Sequence, residues 1–184
     1  MPTDVVVLNG GSSSGKSSIA RALQGLLPTP FLVFGVDTLV DAMPTALTDG
    51  AAGSSDSAGI VFTDDGQVLP GAEFRRLEIG WYKGLAAMAR AGVGIIVDEV
   101  FLGGAASQAR VRAAFDGLEV RWVSVRCDPA VAAGREATRG DRVAGMAARQ
   151  AESVHIGVDY DLQVETSTMS ADDCAALIAA AVGS

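Results

Sequence analysis

Short apolar runs rich in β-branched residues recur along the chain, and longer segments with helical patterns separate them. Apolar runs without polar alternation are typical of strands that are buried on both faces of a sheet. The helical segments supply the crossover connections that a parallel sheet requires. We therefore predict a three-layer α/β fold, with a five-stranded parallel sheet between helices. The predicted strands are residues 5–8, 31–36, 93–97, 120–125 and 162–164.

The segments between and after these strands predict seven helices, with glycine or proline near several of their ends. The predicted helices are residues 16–27, 38–43, 72–91, 105–115, 130–138, 141–154 and 171–182.

Residues 44–71 interrupt the alternation of strands and helices. They contain a run of small and polar residues, followed by two short apolar runs at 60–62 and 67–69. The Asp65-Gly66 pair between these runs is a common hairpin turn. We predict a mobile insertion that contains a β-hairpin.

Composition favours one globular domain over residues 1–184, because this length buries a substantial core and no linker or repeat divides it. The net charge of −8 argues against a nucleic-acid partner. The cysteines are far apart, so no zinc site or disulfide framework is indicated. No apolar stretch approaches the ~18 residues of a membrane span, and no signal-peptide pattern precedes the first strand. We expect a cytoplasmic protein without a membrane partner, and a homo-oligomer is compatible with this composition.

A glycine-rich motif follows the first predicted strand and opens the first predicted helix. It matches G-x-x-x-x-G-K-[ST], whose backbone N–H groups surround phosphate oxygens at a helix N-terminus. We predict that Lys16 reaches the β- and γ-phosphates of ATP and that Ser17 binds Mg²⁺. This motif indicates a P-loop NTPase fold. The residues predicted to bind the nucleotide are Gly10, Gly11, Ser12, Ser13, Ser14, Gly15, Lys16, Ser17 and Ser18.

A P-loop alone does not separate a kinase from a GTPase, a motor or a nucleotide-dependent switch. The chain has no N-K-x-D guanine-reading motif and no second domain to transmit force. These features favour a small-molecule kinase, with a hydroxyl-bearing acceptor as its second substrate.

Acidic residues stand at the carboxyl ends of two predicted strands, where ligands of parallel sheets gather. Asp37 is a candidate general base for the attacking hydroxyl, and its alternative role is to cap the helix at 38–43. Asp98 is a candidate Mg²⁺ ligand, and its alternative is a solvated strand end. Glu99 could instead orient the acceptor or a metal-bound water, and the sequence does not rank these roles.

Three arginines at Arg135, Arg139 and Arg142 would share one face if their helix continued through Gly140. Such a cationic face suits the charge of a migrating phosphoryl group, so we predict a lid over residues 134–147. Arg139 and Arg142 are assigned catalytic roles with Asp37 and Lys16, while Arg135 and Arg139 are assigned to nucleotide binding. The alternative is that these arginines pair with Glu136 and Asp141 on an exposed surface.

Other residues carry weaker signals. The single histidine, His155, is expected to have a hydrogen-bonded structural role, with an acceptor or adenine contact as the alternative. Several apolar residues could line an acceptor pocket or equally belong to the core. These residues are Met43, Phe74, Trp81 and Phe101.

With these features assembled, the chain resembles the chloramphenicol phosphotransferases, small relatives of shikimate and adenylate kinases. The resemblance implies ATP-dependent phosphorylation of the primary hydroxyl of chloramphenicol. It also implies Asp37 as the general base, and nucleotide contacts from the P-loop and from Arg135, Arg139 and Arg142. The matching blocks are residues 8–17, 34–37, 41–44, 87–92, 100–106, 125–128 and 139–147.

Two departures from the family pattern fall near the expected acceptor site. Residues 45–59 form a longer segment, and Asp98-Glu99 stands where the family has paired aspartates. The transfer reaction is therefore implied more firmly than its acceptor. The alternatives are a kinase for another hydroxylated natural product or metabolite, or a nucleotide-binding regulatory switch.

Overall fold

The computed structural model describes residues 3–48, 59–63, 66–139 and 145–183. The strands are β1 (Val5–Asn9), β2 (Phe31–Gly35), β3 (Ile60–Phe62), β4 (Val68–Pro70), β5 (Gly94–Glu99), β6 (Val120–Arg126) and β7 (Leu162–Glu165). The helices are α1 (Lys16–Leu26), α2 (Val36–Asp41), α3 (Ala72–Arg90), α4 (Ala105–Ala114), α5 (Pro129–Arg139), α6 (Met146–Ser153) and α7 (Ala171–Val182), with a 3₁₀ turn at Thr45–Leu47.

Five strands form one parallel sheet in the order β2-β5-β1-β6-β7. The central strand β1 is buried along its whole length, which explains its uninterrupted apolar sequence. The carboxyl ends of β2, β5 and β1 therefore lie side by side at one edge of the sheet. This arrangement confirms the predicted α/β fold with a five-stranded parallel sheet.

Successive side chains of each strand enter two separate cores because they point to opposite faces of the sheet. Val6, Leu8 and Ile96 pack against α1 and α7 on one face. On the other face, Val7 and Val97 pack with side chains of α3 and α4. Helices thus cover both faces, which gives the three predicted layers.

The insertion forms an antiparallel β3–β4 hairpin, as predicted. A third apolar cluster connects this hairpin to α2 and α3 through Leu39, Met43, Ile60 and Phe74. The residues from 49 to 58 and the turn residue Asp65 lie outside the described part of the chain. The hairpin is therefore held by packing where it is described, beside the carboxyl ends of β2 and β5.

Two predicted boundaries need correction. The helix predicted at 38–43 begins at Val36, because the Gly35 N–H donates a hydrogen bond to Thr38 Oγ1 at 3.3 Å and begins the helix earlier. The helix predicted at 141–154 begins at Met146, because Gly145 takes the N-cap position in a left-handed conformation, and residues 141–144 lie outside the described part of the chain. Among the described residues, no helix is both long and apolar enough to cross a membrane.

Candidate active site

The glycine-rich loop leaves β1 after Asn9 and enters α1 at Lys16. Gly15 has a φ of +91°, a left-handed conformation that glycine adopts without strain. Gly10 packs so closely on β6 that an added Cβ would overlap the Val125 carbonyl oxygen. The two glycines therefore permit the tight turn and close approach on which a phosphate-binding loop depends.

The interior of this loop has unused hydrogen-bonding capacity. The buried hydroxyls of Ser13 and Ser14 make no hydrogen bond to any described residue, which costs free energy unless a ligand supplies the partner. Lys16 Nζ donates to the Gly11 carbonyl oxygen at 2.8 Å, so its ammonium group lies over the loop. These residues fit the phosphate groups of a nucleotide.

Asp98 faces the P-loop from the end of β5. The Ser17 hydroxyl donates to Asp98 Oδ2 at 2.6 Å, and Lys16 Nζ lies 3.7 Å from Asp98 Oδ1. The Asp98 side chain is only 18% exposed, so it is not a solvated strand end. Hydroxyl and carboxylate oxygens are ligands that Mg²⁺ accepts, so Ser17 and Asp98 are residues that would hold such an ion. In the described ranges, no group of three or more His, Cys, Asp or Glu side chains that could hold a metal ion occurs.

Glu99 belongs to a different part of the site from Asp98. Adjacent strand residues point to opposite faces, so Asp98 faces α1 while Glu99 faces α3 and is 2% exposed. Burial, the largest cause, raises the pKa of Glu99 to about 8, and the nearby Tyr82 hydroxyl opposes part of that rise. Of this pair, Asp98 is therefore the acid that contacts the predicted metal and nucleotide residues.

Asp37 lies in the first turn of α2, immediately beyond the carboxyl end of β2. The alternative that Asp37 caps this helix is wrong, because the helix begins at Val36 and Gly35 takes the N-cap position. Gly35 pairs with Asp98 across the sheet, and Asp37 and Asp98 line the same cleft. The role of Asp37 as general base stays a prediction.

Of the three predicted lid arginines, Arg135 is described with its contacts. Its guanidinium donates to Thr166 Oγ1 at 3.1 Å and to the Thr166 carbonyl oxygen at 2.7 Å, and it lines the cleft beside Gly15. Arg139 ends α5, but its side chain lies outside the described part of the chain, as does all of Arg142. Their roles, and the closing of a lid, stay predictions.

Glu136 is buried, so it does not form the exposed ion pair with the lid arginines that the alternative interpretation predicts. This side chain is 6% exposed and accepts hydrogen bonds from the N–H groups of Gly145 and Ala147, each at 2.8 Å. It therefore caps the N-terminus of α6 and joins the two helices that flank residues 140–144.

Two residues that sequence reasoning missed hold the P-loop from outside. Gln150 Oε1 on α6 accepts a hydrogen bond from Ser12 N–H at 2.8 Å. Thr166 donates from Oγ1 to the Ser14 carbonyl oxygen at 2.8 Å. The position of Thr166 just after the last strand could have revealed it. Nothing in the sequence marks Gln150, because its partner is 138 residues away.

The cleft has a volume of about 850 Å³ and joins the P-loop to the hairpin. Its far half has an apolar wall formed by Val36, Val40, Ile60, Val68, Pro70 and Phe74. Of the apolar candidates from the sequence, Phe74 lines the cleft. Trp81 packs edge-on against Phe34, and Phe101 packs near Trp122 in the core. This half of the cleft is suited to a partly apolar molecule.

His155 is part of a buried polar network under the P-loop. Asn9 Nδ2 donates to the Tyr160 hydroxyl at 2.5 Å, and that hydroxyl lies 2.6 Å from His155 Nδ1. Burial is the main cause that lowers the pKa of His155 to about 4. The ring is therefore neutral, and its Nδ1 accepts a hydrogen bond from the Tyr160 hydroxyl. These contacts favour the structural role expected for this histidine.

Solved structures with similar backbones include several proteins described as kinases. A sugar kinase from Janibacter sp. HTCC2649 has a TM-score of 0.69 and 18% identity, covering 98% of this chain and 96% of that one. The tunicamycin resistance protein of Deinococcus radiodurans has a TM-score of 0.67 at 18% identity, with the same coverage. The APS kinase of Mycobacterium tuberculosis gives 0.61 at 17% identity, covering 100% and 99% of the two chains. At these identities the likeness supports the fold.

The sequence itself provides closer evidence of kinship. A Mycobacterium tuberculosis protein provisionally described as an O-phosphotransferase is 29% identical over 174 residues, which cover 89% of this chain and 75% of that protein. The model of the family described as chloramphenicol phosphotransferase-like protein matches residues 3–183. The chain therefore belongs to the chloramphenicol phosphotransferase-like family and is a small-molecule phosphotransferase of the P-loop type.

Proposed function

We propose that this enzyme transfers the γ-phosphate of ATP to a hydroxyl of chloramphenicol or a related antibiotic. The observation that carries the proposal is the contact of Ser17 and Lys16 with Asp98 in the cleft that Asp37 also lines. Asp37, the proposed general base, therefore lines the same cleft as the predicted nucleotide-binding residues. Family membership supports chloramphenicol as the first acceptor to test.

The P-loop residues would bind the phosphate chain of ATP through backbone N–H groups and the Lys16 ammonium. Ser17 and Asp98 would hold Mg²⁺, which supplies positive charge to the phosphate oxygens when it is bound. Arg135 lies beside Gly15 and would add a further cation at the same loop. These groups orient the terminal phosphate and reduce the repulsion that an incoming oxygen would meet.

Asp37 would receive the proton of the acceptor hydroxyl. The acceptor oxygen forms a bond to the γ-phosphorus while the bond from that phosphorus to the oxygen shared with the β-phosphate breaks. The electron pair of the broken bond leaves with ADP. Arg139 and Arg142 are proposed to stabilise the migrating group, as the sequence predicts.

The apolar wall of the cleft supports a partly apolar acceptor rather than a fully hydrated one. The net charge of −8 supports a small substrate over a nucleic acid. A dependence on ATP, together with two cysteines that form no disulfide, supports action in the cytoplasm.

The test is incubation of the purified protein with Mg-ATP and chloramphenicol, and in parallel with a panel of hydroxylated antibiotics. Mass spectrometry should find chloramphenicol heavier by one phosphoryl group, together with an equal amount of ADP. Phosphate on another panel member would keep the kinase reaction and replace the acceptor. ATP binding without any phosphorylated product would contradict the proposed acceptor class and favour a different metabolite.

A further inference from the structure

The two acids that end β5 have different surroundings. Contacts with the P-loop explain why one of these positions carries a carboxylate, but not why the other does. Asp98 contacts Ser17 and Lys16 on the α1 face of the sheet. Glu99 points to the opposite face, where α3 packs, and it contacts neither of those two residues. Binding of a nucleotide or a cation therefore does not account for a carboxyl group at Glu99.

Contacts within the protein satisfy only part of the buried carboxyl group of Glu99. Glu99 is 2% exposed beneath α3, its Oε1 atom makes no hydrogen bond to a described residue, and its Oε2 atom accepts one from Val100 N–H at 3.3 Å. The Tyr82 hydroxyl also hydrogen-bonds the Glu99 carboxyl group, which lowers the pKa of Glu99 against the larger rise caused by burial. A buried acid with a vacant oxygen costs free energy that an apolar side chain of the same size would not.

The cations of this region are engaged by another acid. Arg75 Nη1 binds both carboxylate oxygens of Glu78 at 3.0 Å, and Arg110 Nε binds Glu78 Oε2 at 3.2 Å. The charged groups that influence Glu99 are thus Glu78 and Asp98, both acidic. No described arginine or lysine forms an ion pair with Glu99, so it is not part of a structural salt bridge.

The position of Glu99 in the cleft suggests a ligand. The cleft extends from the P-loop past Asp37 to Glu78, Glu99 and Ser107. Glu99 ends β5 directly beside β2, and α2 with Asp37 follows β2. A molecule that presents a hydroxyl to Asp37 would therefore have its other polar groups within the region that Glu99 borders.

We propose that Glu99 is a specificity-determining residue that hydrogen-bonds a second polar group of the acceptor while Asp37 takes the reacting hydroxyl. This inference rests on the proposed function. It defines the acceptor class as a diol or hydroxy-amide with an apolar part, because the apolar wall and two hydrogen-bonding carboxyls must all be satisfied. Chloramphenicol, which has a second hydroxyl and an amide, belongs to this class.

The test compares Glu99→Met and Glu99→Gln with the parent in steady-state kinetics. The acceptor is chloramphenicol, or the panel antibiotic that the parent phosphorylates. Glu99→Met, which keeps the volume and removes both oxygens, should raise the acceptor KM about 10-fold or more. The KM for ATP should change by less than about two-fold, because the P-loop and Asp98 are untouched. Glu99→Gln keeps a hydrogen-bonding group, so its acceptor KM should lie between those of the parent and Glu99→Met.

Thermal unfolding separates this role from a structural one. The Tm of Glu99→Met should equal or exceed that of the parent, since a vacant buried acid is replaced by an apolar side chain. Gln108→Met is the matched control, because Gln108 is likewise buried, at 3% exposure. Its side-chain amide donates a hydrogen bond to the Asp159 carbonyl oxygen and accepts one from the Asp159 N–H. The Tm of Gln108→Met should fall while its acceptor KM stays near that of the parent.

Each outcome decides the inference. A raised acceptor KM with an unchanged or higher Tm supports it. An unchanged acceptor KM overturns it and leaves the proposed function intact. A lower Tm or an equal loss of ATP affinity in Glu99→Met also overturns it, in favour of a core or nucleotide-side role. A parent that phosphorylates no panel member contradicts the proposed function, and the inference that rests on it fails too.

Discussion

Asp37 is the residue on which the proposed chemistry depends most directly. Asp37→Asn keeps the size of the side chain and removes its basicity, so kcat should fall by about 10²–10⁴-fold. The dissociation constant for ATP should stay within a few fold, because the P-loop is unchanged. Rapid-quench or coupled assays measure the first effect, and calorimetric titration measures the second.

Asp41 offers the control for this substitution. It ends the same helix and is exposed to solvent. Asp41→Asn should leave both kcat and the dissociation constant for ATP near their values in the parent. Equal turnover in Asp37→Asn and Asp41→Asn would remove Asp37 from the role of general base.

His155 makes folding sensitive to mild acid. Its pKa is lowered to about 4 in the folded protein, first by burial and then by Arg126 and Lys16, whereas an unfolded histidine titrates near 6.5. Between these values the unfolded chain binds a proton that the folded chain does not, so stability falls as pH decreases from about 6.5 to about 4.

The substitution His155→Gln should reduce this pH dependence, because glutamine can still accept a hydrogen bond from Tyr160 but does not titrate. Tm measured at intervals from pH 7 to pH 4.5 should fall less steeply in the variant than in the parent. Parallel curves for the two proteins would show that other groups account for the acid sensitivity.

At the scale of elements, the contact between α5 and α6 determines how the proposed lid is anchored. Glu136 on α5 accepts hydrogen bonds from two N–H groups at the start of α6. Glu136→Ala should lower the free energy of unfolding by about 1–3 kcal/mol, because the buried Ala147 N–H and the partly buried Gly145 N–H both lose their hydrogen-bond acceptor. Urea denaturation measures this change.

An acid on the surface of α6 supplies the comparison for Glu136. Glu152 is exposed, so Glu152→Ala should change the free energy of unfolding by no more than about 0.5 kcal/mol. A loss of the same size in both variants would mean that the cap does not stabilise α6.

The sequence predicted the helices and strands well. It predicted the contacts between distant segments of the chain poorly, and the reasons are physical. The β1 run and the P-loop motif carry local signals, since burial on both faces requires apolar residues and a phosphate cradle requires glycine. Helix α2 was predicted two residues late because Val36 continues an apolar run and resembles a strand residue. The start of the helix depends instead on the Gly35–Thr38 hydrogen bond.

Contacts between distant segments of the chain have no comparable local signal in the sequence. Gln150 meets Ser12 across 138 residues, and Thr166 meets Ser14 across 152 residues. Likewise, the sequence could not rank Asp98 against Glu99, because that ranking depends on which helices cover each face of the sheet. Such pairings require the three-dimensional fold.

At the scale of the whole molecule, the nucleotide should stabilise the fold as a unit. Mg-ADP at 100 times its dissociation constant should raise the free energy of unfolding by about 2.7 kcal/mol. Lys16→Ala should remove most of this gain, since Lys16 is the P-loop cation beside Asp98. Thermal melts with and without Mg-ADP measure the effect.

The chain has only two lysines, and the other one provides the control. Lys83 is exposed on α3, so Lys83→Ala should retain the full ligand-induced rise in Tm. A full rise in Lys16→Ala as well would show that the P-loop lysine does not contribute to ADP binding.

The opposite orientation of the last two β5 residues has a consequence for how this family could diversify. Because Asp98 and Glu99 face different helices, a mutation that reshapes the α3 side need not disturb the residues that contact the P-loop. Under the proposed role of Glu99, substitutions on the α3 side would alter the choice of acceptor while the residues that bind the nucleotide stay the same. An inhibitor that occupies only the nucleotide half would then remain effective against such variants, whereas one that mimics the acceptor would lose potency.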